Sequence, residues 1–176
     1  SQQYDVVRSG ERDQANVRTK TTKASSRRSL LEENFQYGLV NLDDGCCSGQ
    51  HLPESSSPNG LVSLWWGDLD PSSSGTIRYD HLGVAPYRRF VVQFVDVPHF
   101  AGETDNVTTV NMQLVLFEED SSFEIRLQDA PADPGGVFSS VGFEDDTGTL
   151  GVSIEYSESA SFTDTIFRTE IVGAPS

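Results

Sequence analysis

Nine short apolar runs, each closed by a cluster of turn-forming residues, dictate what this chain can fold into. From Phe35 onward they fall at 35–42, 61–69, 75–82, 88–97, 109–119, 122–130, 137–144, 149–157 and 161–172. Between them stand DLDPSSSG, GVAPY, DVPHFAGETDN, EEDSS, ADPGG and EDDTG, rich in residues that preset or tolerate turn dihedrals. Several runs alternate with period two: Ile77 and Tyr79 against Arg78 and Asp80; Val110, Met112, Leu114 and Leu116; Phe123, Ile125 and Leu127. That period belongs to strands with one packed face. LVSLWWGDL (61–69) is apolar on both faces and reads as a central buried strand. No useful helical period appears in this region. The expectation is an all-β, jelly-roll-like β-sandwich in one domain, sheet packed on sheet.

Charge divides the chain in two. Residues 1–28 hold seven of its 12 cations and three acids, a net of +4. Residues 29–176 hold five cations and 24 acids, a net of −19. The basic stretch offers Tyr4, Val6, Val7 and Val17 and few other large apolar residues, so it cannot bury a core of its own. We divide the chain into a basic N-terminal arm, 1–34, and an acidic sandwich domain, 35–176. Within the arm, Val17, Arg18, Thr19, Lys20 and Thr21 alternate β-branched with cationic residues, the pattern of a donor strand. Ser29 with Glu32 three positions on makes a capping box and predicts a short helical turn over 30–34. The arm is expected to gain order by docking, on its own body or on a neighbour. The chain begins at Ser1 rather than Met, which reads as a processed or trimmed form.

The anionic balance argues against nucleic acid as a partner, because phosphate recognition needs a basic face. No apolar run approaches 18 residues, so no membrane-spanning helix is expected. His51, His81 and His99 lack metal-ligand spacing, and no GxSxG elbow is present. The acid runs 118–120 and 144–146 read as solvated turns. Asp68 and Asp70 can ligate Ca²⁺, yet DLDPSSSG lacks the dense oxygen ligands and closing glutamate of an EF-hand loop. It reads as a structural turn, and no cofactor, metal or catalytic residue is expected. Trp65 and Trp66 must face opposite sides of their strand. One belongs to the core and the other to the second face, under a loop or exposed beside Asp68 as a stacking platform for a sugar. Cys46 and Cys47 are adjacent in a Gly-flanked segment. A vicinal disulfide there is strained, and free thiols or bridges to another chain are the alternatives. Asn106-Val107-Thr108 is a glycosylation sequon in a predicted loop.

An ordered series of motifs resembles a known family. SSSPNGLVSLWWGDLDPSSSGTIRY, GVAPYRRFVVQFVDVPHF, VNMQLVLFEEDSSFEIRLQDA and VGFEDDTGTLGVSIEY are similar to the nidogen-like jelly-roll modules of large bacterial extracellular proteins. The resemblance covers roughly residues 58–156. It implies a secreted or surface-exposed module without catalytic residues, and an oxidising compartment that favours the vicinal Cys46–Cys47 bridge. Trp66, Asp68, Asp70 and Pro71 then look like a fold signature at a strand end.

The expected function is a non-catalytic extracellular structural subunit. Its arm would add a strand to a neighbour's sheet, so that head-to-tail repetition makes a homo-oligomer or filament. The alternative is a surface adhesion module recognising a glycan or a surface protein, with Trp65, Trp66 and Asp68 as its binding surface.

Overall fold

The computed structural model describes residues 3–9, 39–40, 48–100 and 107–172. Ten strands follow in chain order: β1 (Gln3–Ser9), β2 (Leu39–Val40), β3 (Val62–Trp66), β4 (Thr76–Leu82), β5 (Arg89–Pro98), β6 (Thr109–Phe117), β7 (Phe123–Ala130), β8 (Ser139–Glu144), β9 (Gly151–Ser157) and β10 (Phe162–Val172). The turn clusters set these boundaries. For example, Asp120 accepts hydrogen bonds from the Ser122 N–H and hydroxyl at the β6–β7 turn, which closes a tight hairpin. The described residues form no helix.

Two antiparallel sheets make a sandwich. The larger runs β1-β10-β7-β6-β5-β4 and the smaller β2-β3-β8-β9. Strands β4 to β7 form a meander, as short hairpin connections favour. Central β3 faces β6 and β7 across the interior. The expected inner faces meet there: Val110, Met112 and Leu114 with Ile125 and Leu127, joined by Leu64, Trp65, Val92, Phe94, Val141 and Phe167. The all-β sandwich is thus the observed architecture, and each of the nine predicted runs coincides with one described strand, β5 ending one residue beyond its run.

β3 is buried on both faces, as its sequence requires. Trp65 enters the main core. Trp66 points the other way and packs with Leu52 and Leu61 beneath the segment that precedes the strand. One local feature was not foreseen. The β5–β6 register shifts between Phe94 and Val97, with Asp96 at φ 50°. Asp96 N–H donates to Asn111 Oδ1, and Asn111 Nδ2 donates to Asp96 Oδ1. This reciprocal pair holds the bulge and its left-handed residue.

Candidate functional site

The arm reaches the body through residues other than those the sequence singled out. β1, Gln3–Ser9, lies antiparallel to β10 at the border of the large sheet. The register runs from Gln3 opposite Val172 to Ser9 opposite Ile166, with Tyr4 against Ile171, Val6 against Thr169 and Arg8 against Phe167. The predicted donor segment Val17–Thr21 and the helical turn at 30–34 lie outside the described residues, as do Cys46, Cys47 and Asn106. A signal for β1 exists in QYDVVRS, where Tyr4, Val6 and Val7 are strand formers. It is faint because Gln3, Asp5, Arg8 and Ser9 surround them.

β10 is well anchored in the large sheet. Its other border pairs with β7 from Phe162 opposite Ala130 to Arg168 opposite Glu124. Phe167 and Phe162 contact edge to face, and Phe162 contacts Trp65 likewise, the geometry that ring quadrupoles favour. Thr169 is buried; the Phe123 N–H donates to its hydroxyl oxygen at 2.9 Å. On the opposite face, Arg168 reaches Glu124 and Asp120 and lies over the Phe117 ring. Arg126 donates to Glu124 Oε2 at 2.6 Å, so this mostly buried carboxylate has two cations beside it. One border of β10 is therefore bound to the core, and the other is covered by a strand from the arm.

The tryptophan surface needs correction. Trp65 and Trp66 are 0% and 1% exposed. Each indole buries about 150–250 Å². At about 25 cal/mol per Å² that is roughly 4–6 kcal/mol of stabilisation per ring, an upper figure against an extended chain. A ring so buried cannot act as an exposed stacking platform. Trp65 Nε1 donates to His99 Nε2 at 3.1 Å, which leaves His99 Nδ1 to donate to the Thr108 hydroxyl oxygen at 2.9 Å. Burial pushes the His99 pKa down, against the opposing pull of Asp133 and of the Thr108 backbone. Asp70 accepts from the Ser72 backbone and hydroxyl, and its pKa is lowered chiefly by the Ser72 side chain. Asp68 is raised by burial, then by the charges of Asp133 and Asp70. DLDPSSSG is thus a turn whose Asp70 carboxylate is engaged by its own chain.

Among the described residues no three His, Cys, Asp or Glu side chains converge to hold a metal ion, and no helix is long and apolar enough to cross a membrane. A family model described as NIDO related matches residues 36–176. No match was found among curated proteins or among solved structures.

Proposed function

This chain belongs to the NIDO-related family, and from that premise we propose that it is a non-catalytic extracellular structural subunit that assembles by N-terminal strand addition. β1 is the donated strand and the border of β10 away from β7 is the acceptor. The observation that carries the reading is the seven-pair β1–β10 register at the sheet border, made by a segment too hydrophilic to fold alone. Strand addition takes affinity from main-chain hydrogen bonds and selectivity from alternate side chains.

Magnitudes make the strand exchangeable. A ladder hydrogen bond nets about 0.5–1.5 kcal/mol, while ordering each residue costs about 1–2 kcal/mol. The ladder alone does little more than offset its own ordering cost. Between Ser9 and Leu39 lie residues 10–38, which fully extended span at most roughly 100 Å. That length lets β1 reach its own β10 or another chain's. Pairing within and between chains uses the same ladder, so effective concentration decides. Effective concentrations of linked segments reach the order of millimolar, a density that a crowded surface array supplies. Long-range attraction between the +4 stretch 1–28 and the −19 remainder of a neighbour speeds the encounter at low salt. A head-to-tail contact of this kind is heterologous and extends into a filament.

Light scattering of the full chain across a concentration series tests the reading. Mass is expected to rise with concentration, and Val6→Pro, which removes a ladder donor from β1, is expected to suppress the rise. A full chain that stays monomeric up to millimolar concentration rules the function out. The glycan reading lacks its platform, because both indoles are buried.

A further inference from the structure

We propose that the cleft between the β4–β5 turn and the end of β6 binds a carboxylate-bearing sugar ring, a site separate from the buried indoles and independent of the assembly reading. The cleft measures about 270 Å³ and is lined by Tyr87, Arg88, Arg89, Phe117 and Glu119. It lies at the start of β5, whereas His99 follows the other end of that strand and the Asp70 N–H donates to Pro98 there. Sites for drug-sized ligands occupy about 300–1,000 Å³, so this cleft suits a single ring.

Strand alternation builds the cleft. Arg89 stands opposite Phe117 in the β5–β6 register, next to Phe90 opposite Leu116. Phe90 and Leu116 pack against the core, which turns Arg89 and Phe117 to the outer face of the sheet. Two sets of contacts hold the walls. Arg88 donates from Nε to Glu118 Oε2 at 2.8 Å and from Nη2 to Glu118 Oε1, and the Glu118 N–H donates to the Arg88 carbonyl oxygen at 2.9 Å. This ties the β4–β5 turn to the end of β6. Arg168, held by Asp120 and Glu124, lies over Phe117 at 5.0 Å from the ring centroid.

The side chains identify the ligand. Residues 29–176 contain five cations, Arg78, Arg88, Arg89, Arg126 and Arg168. Glu118 engages Arg88, Glu124 engages Arg126, and Asp120 with Glu124 engages Arg168, while Arg78 lies within β4 away from the cleft. Arg89 is exposed, lines the cleft and has no carboxylate within ion-pair distance among the described residues. Its planar guanidinium matches a carboxylate in a bidentate pair. Glu119, in the same cleft, accepts hydrogen bonds when ionised and donates none. It repels a compact anion such as phosphate and calls for a ligand that also offers donors. Tyr87, 61% exposed, and Phe117 supply apolar ring surface. A hexuronate carries all three complements: a carboxylate for Arg89, hydroxyls for Glu119 and a ring face for the aromatics.

Tyr87, Arg88 and Arg89 are all exposed, so the contact stays partly solvated and affinity belongs at the weak end, a Kd on the order of 1 mM. NMR titration of the isotope-labelled full chain with methyl glucuronide tests this, with methyl glucoside, methyl glucosaminide and acetate as comparisons. Saturable shifts are expected around Tyr87–Arg89 and Phe117–Glu119, with the neutral glucoside roughly three- to tenfold weaker. Arg89→Gln should erase that preference, so that glucuronide binds as weakly as glucoside. Tyr87→Ala should weaken both sugars. Circular dichroism confirms that the two variants fold, and both replaced side chains are exposed. No saturable shift at tens of millimolar, equal affinity for glucuronide and glucoside, or undiminished glucuronide binding by folded Arg89→Gln would overturn the proposal. So would acetate matching glucuronide, which reduces the site to a bare carboxylate contact, or the amino sugar binding more tightly, which makes Glu119 the anchor.

Discussion

β10 has two neighbours, and they reach it from very different distances along the chain. Toward β7 it shares a register that includes Phe167 opposite Ile125, and both side chains belong to the central core. Toward β1 it shares a register of similar length, with a strand whose connection to the body runs through 29 residues, 10–38. One border joins elements of a single folding unit. The other joins that unit to a strand from the N-terminal stretch. Under the proposed assembly, the β7 ladder is permanent and the β1 ladder exchangeable.

The largest effect should come from the permanent border. Phe167→Ala removes a buried ring beside Trp65's partner Phe162 and is expected to cost about 3–5 kcal/mol in urea unfolding. Loss below 1 kcal/mol would mean that β10 is no more anchored on this side than on the other. By contrast, Val6→Pro should leave the cooperative unfolding of the body nearly unchanged, within about 1 kcal/mol, while suppressing concentration-dependent association. If it destabilises the body as much as Phe167→Ala does, β1 is part of the folding unit and the contrast fails.

Protonation sharpens the same distinction, because its lever lies in the core. The folded-state pKa of His99 is depressed below the ordinary imidazole value of about 6.5. The unfolded chain then binds the extra proton first. Stability from this group is complete above about pH 6.5 and is lost as pH falls through the folded value. Asp68 and Glu144, with raised pKa values, work in the opposite sense, and their effect begins nearer the carboxylate range. Calorimetry between pH 7 and 5 should show melting temperature falling with pH, and His99→Gln should flatten that slope. An unchanged slope in the variant would remove His99 from the account. The smallest change is expected at the surface pair of Arg88 and Glu118: Glu118→Gln should alter stability by less than about 1 kcal/mol in the same calorimetry.

The sandwich was legible because turn chemistry is local. Asp70-Pro71, Gly83, Asp120 and Asp145 mark strand ends through dihedrals and side-chain hydrogen bonds that lie within a few residues. The burial of both indoles was half legible. Alternation places Trp66 on the second face, but the lid over it, Leu52, comes from a stretch with no strand pattern. β1 was not legible, because its partner lies some 160 residues away and its own composition is mostly polar. Glu144 looked like one acid among three in a turn, and its burial is a tertiary property.

The proposed exchange of β1 between chains can be read directly by cross-linking. Two populations are prepared with Cys46 and Cys47 replaced by serine, one carrying Val6→Cys and the other Thr169→Cys, positions opposite each other in the β1–β10 register. After mixing and oxidation, the account predicts a disulfide joining the two kinds of chain, with a yield that climbs toward millimolar concentration and falls when Val7→Pro is added to the donor. A double variant that closes only within its own chain, together with mixtures that never join at any concentration, would contradict assembly by strand donation.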